Sequence, residues 1–149
     1  MACLAVIVSD TPFKIRRRVK WGDCDPAGVV YTPRFSDYVV ETFLTFSERL
    51  IGSPLQERLQ ALDLGLPAKA MSMVFKRSLW PDEVFEIEVT VRAIRTRTFD
   101  LSFSARTLEG QAVFDATMSP ICVRPGTRES CPIPDPLLDR LQAQREAVP

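Results

Sequence analysis

The chain has 149 residues, 46% hydrophobic and 26% charged, enough to bury one core as a single domain over residues 1–149. Lys plus Arg and Asp plus Glu balance at 19 each, so nothing global draws the chain to nucleic acid or an anionic membrane, and neither partner is expected. Without histidine there can be no Ser-His-Asp triad, Cys-His pair or imidazole metal site, and general-base work near neutrality falls to carboxylates.

The opening MACLAVIVSD is a short apolar run with no basic leader, cut off by Asp10 and Pro12 well short of a membrane span, which points to a cytoplasmic protein. Cys3, Cys24, Cys122 and Cys131 contain no C-x-x-C pair, so reduced thiols are expected. In FKIRRRVKW, Phe13, Ile15, Val19 and Trp21 share one parity and Lys14, Arg16, Arg18 and Lys20 the other. That predicts a half-buried strand with a solvated basic face. The loop GDCDPAGVVYT follows. Thr32 and Pro33 then read as N-cap and first residue of a helix. Phe35, Tyr38, Val39, Phe43, Phe46 and Leu50 recur at helical steps up to a stop at Gly52. Val40, Leu44 and Ile51 are apolar too, so most of the helix circumference calls for burial.

Ser53-Pro54 opens a short helix with Leu55, Leu59 and Leu62, ended by Gly65 and Pro67. The period then becomes two: weakly over 68–77, strongly at Phe85, Ile87, Val89 and Val91, and again at Phe99, Leu101, Phe103 and Ala105. A turn at Glu109-Gly110 leads to a strand over 113–123, in which Pro120 marks a bulge or an edge. Asp135-Pro136 caps a last helix carrying Leu137, Leu138 and Leu141. This order predicts an α+β hot-dog fold, an antiparallel sheet wrapped around a long apolar helix.

Residues 21–35, W-G-D-C-D-P-A-G-V-V-Y-T-P-R-F, resemble the signature loop of the 4-hydroxybenzoyl-CoA thioesterase family. The likeness extends more loosely over residues 13–123, through S-L-W-P-D-E-V-F-E-I-E and I-R-T-R-T-F. The resemblance implies acyl-CoA thioester hydrolysis in which Asp25 acts as nucleophile or as base for water, without metal or other cofactor, CoA entering as part of the substrate. It also implies CoA contacts at Arg95, Arg97 and Thr98, with Arg124 a weaker candidate, and a homodimer or dimer of dimers. Strands 84–95 and 99–107, long and regular, are expected to present the pairing edges.

Physical chemistry supports the same loop. A carboxylate seven positions before a helix start can sit across a thioester whose carbonyl oxygen meets free helix amides, with the Thr32 N–H as donor. From local sequence alone, Asp25 before Pro26 would only make an Asx turn. Asp23 is expected to bond loop amides, and Arg95 and Arg97 to share a strand face. The chain also departs from its relatives. Val40 stands where they usually carry an acid, and Thr32 where several carry histidine, so a 4-hydroxybenzoyl substrate is not expected. Glu41, about 100° around the helix from Val40, reads as an ordinary polar residue. The rival reading is a non-catalytic acyl-CoA or acyl-carrier binding module.

Overall fold

The computed structural model describes residues 3–147. Six strands form one antiparallel sheet: β1 Ala5–Asp10, β2 Phe13–Arg18, β3 Ala68–Phe75, β4 Val84–Ile94, β5 Phe99–Thr107 and β6 Ala112–Pro120, in the order β1-β2-β4-β5-β6-β3. Three helices complete the fold: α1 Thr32–Ile51, α2 Leu55–Ala61 and α3 Asp135–Ala147. None of these helices is long and apolar enough to cross a membrane.

The inner face of the sheet is built by alternation, with Phe13 and Ile15 on β2, Phe85 to Val91 on β4, Phe99 to Ala105 on β5 and Phe114 to Met118 on β6. Against it lies one face of α1, made of Phe35, Tyr38, Val39, Thr42, Phe43, Phe46 and Ser47. Four aromatic contacts join helix to sheet: Phe46 to Phe13 at 5.3 Å, Tyr38 to Phe85 at 5.2 Å, and Phe35 to Phe75 at 5.5 Å and to Phe114 at 5.7 Å between ring centroids. The two buried hydroxyls on this face donate to carbonyls one turn back, Thr42 to Tyr38 and Ser47 to Phe43, so neither is left unsatisfied. Gly52 ends the helix at φ 105°, a conformation that favours glycine. The sheet wrapped around this helix is the hot-dog arrangement the sequence predicts.

Several expectations need correction. The first apolar run is a strand, β1, hairpinned to β2, because Thr11 and Pro12 form a turn rather than merely ending a run. Trp21 is 80% exposed, since the chain leaves β2 at Arg18 and turns as 3₁₀ helix over Trp21–Asp23, which breaks the two-residue period. Val40 and Leu44 are exposed, so the apolar surface of α1 exceeds what this one sheet covers. The basic face of β2 is paired across the ladder with β4: Arg16 meets Glu86 at 2.7 Å and Lys14 meets Glu88 at 3.8 Å. Strands β4 and β5, expected to offer edges, are central, and the edges belong to β1 and β3.

Phe46→Ala should cost about 3–5 kcal/mol of unfolding free energy, because it empties the ring contact to Phe13 at the centre of the core. Glu48→Ala, on the exposed side of the same helix, should stay within about 0.5 kcal/mol. Urea denaturation of the two variants checks the contrast.

Candidate active site

The loop after β2 is held from both ends by Asp23, which is only 5% exposed. Its carboxylate accepts the Lys20 N–H at 3.1 Å and the Tyr38 hydroxyl at 2.8 Å, while its carbonyl accepts the Tyr31 N–H at 2.8 Å. One residue therefore ties the loop to the middle of α1 and to the residue just before α1 begins. Burial, then the bond to Asp23, push the Tyr38 phenol far above its usual range, so it remains a donor. Within the loop, Asp25 N–H donates to Val29 O at 3.0 Å and Gly28 N–H to Asp25 O at 2.9 Å, with Gly28 at φ 85°. Val30 N–H donates to Leu79 O at 2.9 Å and fixes the loop to the segment between β3 and β4.

Asp25 does make the Asx turn: its Oδ1 accepts the Ala27 N–H at 2.9 Å. Among the described residues Oδ2 has no such bond, so the carboxylate is oriented through one oxygen. The helix start lies one residue from its expected place. Tyr31 is the N-cap and Thr32 the first helical residue, and no side chain caps the helix. This strengthens the case for the Thr32 amide as donor. Pro33 has no N–H, and Arg34 N–H is taken by Tyr31 O at 2.8 Å, which leaves the Thr32 N–H in the first turn without a backbone acceptor.

Asp25 and Thr32 border one cavity of about 340 Å³, with Val29, Val30, Phe35 and Phe75 as apolar wall and Arg77 and Ser78 closing it. Arg77 escaped the sequence reading. It donates to Glu83 at 2.6 Å and stacks over Trp80 at 5.5 Å, and its signal was a cation directly before S-L-W-P-D-E. Val40 lies on the exposed side of α1 and does not line this cavity.

The cationic candidates separate. Arg95 and Arg97 sit in the turn between β4 and β5, not on a strand face, and their side chains diverge. Arg95 and Thr98 line a depression of about 350 Å³ together with Lys69, Asp100 and Ser119. Arg97 instead donates to Ser130 Oγ at 3.0 Å, and Arg124 to Asp63 O at 3.0 Å beyond α2. Lys69, also unforeseen, is an exposed cation on edge strand β3, which runs from this depression to Phe75 of the Asp25 cavity. Six residues of strand separate the two, roughly 20 Å. A depression of about 560 Å³ lies on the outer face of the sheet among Ser72, Arg92, Ser104 and Asp115, away from Asp25.

The hot-dog sheet thus brings the Asp25 loop and the start of its central helix to the border of one cavity. The profile of the thioesterase-like superfamily matches residues 19–141, and the chain belongs to that superfamily. A 1,4-dihydroxy-2-naphthoyl-CoA hydrolase of Microcystis aeruginosa is 26% identical over 121 residues, covering 81% of this chain and 86% of the relative. Among solved structures, a 1,4-dihydroxy-2-naphthoyl-CoA thioesterase from Synechocystis superposes with a TM-score of 0.79 at 23% identity, covering 87% of this chain and 95% of that one. A Staphylococcus aureus protein solved in complex with CoA gives 0.87 at 11% identity, covering 100% and 90%. At these identities the two structures speak to the fold.

The Arg95 guanidinium, donating at 2.9 Å, holds the Asp100 carboxyl below the usual carboxylate range against the opposing effect of burial, and the Ser119 hydroxyl adds to the hold. A depressed carboxyl stabilises the fold above its unfolded pKa of about 3.9 and loses that contribution as pH falls through the lower folded value. Arg95→Ala should therefore raise the Asp100 pKa in a carboxyl-carbon NMR titration and move acid unfolding to higher pH. An unmoved Asp100 would assign the hold to Ser119.

Proposed function

We propose that the protein is an acyl-CoA thioesterase of the 4-hydroxybenzoyl-CoA thioesterase type, releasing a free carboxylic acid and CoA. The observation that carries this is that Asp25 and Thr32 border one cavity, Asp25 with its Oδ1 oriented by the Ala27 N–H and Thr32 as the first residue of α1. The thioester carbonyl oxygen accepts the Thr32 N–H, and charge developing on it is stabilised by the positive end of α1. Asp25 then attacks the carbonyl carbon, giving a mixed anhydride that water hydrolyses, or takes a proton from a water that attacks. Thiolate leaves in either case and is protonated to CoA. A thioester lacks amide resonance, so one carboxylate and one oxyanion donor suffice.

The names of the relatives support a CoA thioester of an aromatic acid, and the Phe35 and Phe75 rings, 5.5 Å apart beside Asp25, suit an apolar or aromatic acyl group. Arg95, Thr98 and Lys69 are the cations and hydroxyl we assign to the nucleotide phosphates because they line one depression, with Arg97 and Arg124 secondary because they lie outside it. The roughly 20 Å between the two cavities is a span that an extended pantetheine arm can bridge. The working unit is a homodimer or dimer of dimers. Edge strand β3 leaves Met71 and Phe75 exposed on the face turned toward α1, and α1 leaves Val40 and Leu44 exposed, apolar surface that a second copy would cover.

Asp25→Asn should fold, bind acyl-CoA and lose on the order of 10²–10⁴ in kcat, measured as thiol release over a panel of aryl and alkyl CoA thioesters. Wild-type turnover in a folded Asp25→Asn would sink the mechanism, and binding without thiol release by the parent protein would favour the binding module instead. Arg95→Ala should raise KM for acyl-CoA with kcat kept, and leave short thioesters lacking the nucleotide unaffected.

A further inference from the structure

Arg17 breaks the pattern of its strand. It shares the inward parity of Phe13, Ile15 and Val19, and it is 8% exposed, in the core beneath α1. Its Nη2 pairs with Glu41 on α1, its guanidinium lies 5.0 Å from the centroid of the Tyr38 ring, and its Nε is buried with no acceptor. A buried cation is seldom retained for stability, because a well-packed apolar residue of similar volume commonly does as well or better. An orphan Nε adds a further cost. What Arg17 does supply is a fixed ring. Tyr38 is clamped between Arg17 and Phe85, and its hydroxyl is thereby aimed at Asp23, the residue that holds both ends of the Asp25 loop.

We propose that Arg17 is a positioning residue for Asp25, acting through the Tyr38 ring and the Asp23 carboxylate, with Glu41 as its counter-charge. The inference rests on the thioesterase reading for its kinetic consequence. Neither Arg17 nor Tyr38 lines the cavity. They set where Asp25 stands relative to the Thr32 amide, since Asp23 is two residues from the one and, through Tyr31, one residue from the other. Displacements of about 1 Å in such a pair can cost on the order of a hundredfold in rate while leaving remote binding contacts alone. Glu41, half exposed, can be solvated when its partner is removed, so the substitution strands no buried anion.

The test is a double-mutant cycle of Arg17→Met and Tyr38→Phe. Each single variant should melt within a few degrees of the parent, lose about tenfold or more in kcat, and keep KM for acyl-CoA within about twofold. The double variant should be no slower than the worse single, because both residues act along one chain of contacts. Amide hydrogen exchange at Asp25 and Tyr31 should quicken in both variants while the β4–β5 ladder stays protected. Wild-type kcat in both folded singles, losses that multiply in the double, or unchanged exchange at Asp25 and Tyr31 would each overturn the proposal. Should Arg17→Met not fold, Tyr38→Phe alone decides, since it deletes only the hydroxyl. If the parent protein releases no thiol from any acyl-CoA, the thioesterase reading fails, and the exchange result still judges the positioning role.

Discussion

Burial of one face of α1 against the inner surface of the sheet governs the position of every group near Asp25. Phe35, Tyr38, Phe43 and Phe46 each contribute about 2–3 kcal/mol of apolar burial, enough to fix the helix along its length and in rotation. Fixing the rotation aims the Tyr38 hydroxyl at Asp23, and fixing the length sets the height at which the Thr32 amide emerges. The loop does not need to be rigid in itself. It spans two points already determined by core packing, β2 behind it and the start of α1 ahead.

The division of labour between the two loop acids follows from this. Asp23 is buried, doubly hydrogen-bonded and occupied, whereas Asp25 borders the cavity with one oxygen oriented by Ala27. A site with no histidine cannot relay protons through imidazole. The mechanism proposed above turns instead on a carboxylate and on its placement. Placement here is carried by polar groups inside an otherwise apolar core.

Much of this was legible in the sequence, because the signals were local and repeated. The two-residue alternation of β4 and β5 and the three- and four-residue recurrence in α1 gave both layers, and Gly52 ended the helix where it was expected to. What escaped depended on partners distant in sequence. Arg17 was hidden inside a basic run, although its parity with Ile15 and Val19 marked it as inward-facing, and its reason for being there lies on α1. The capping signal at Thr32 was misplaced by one residue, since Asp23, nine positions earlier, supplies the anchor that a capping hydroxyl would have given. Arg95 and Arg97 looked equivalent two residues apart, yet the turn sends one to Asp100 and the other to Ser130. Trp21 was read as buried because a strand pattern carries no record of where the strand stops.

The strand β1 changes how this molecule can meet copies of itself. It covers the outer side of β2, but it is only six residues long and its register with β2 shifts between Ile7 and Ser9. A short, bulged border is a poor template for another chain, whereas β3 at the opposite side offers eight residues. In the dimer proposed above, unequal borders would favour like meeting like at β3, closed by a two-fold axis. Head-to-tail stacking, which would let the sheet grow without limit, is discouraged by the same asymmetry.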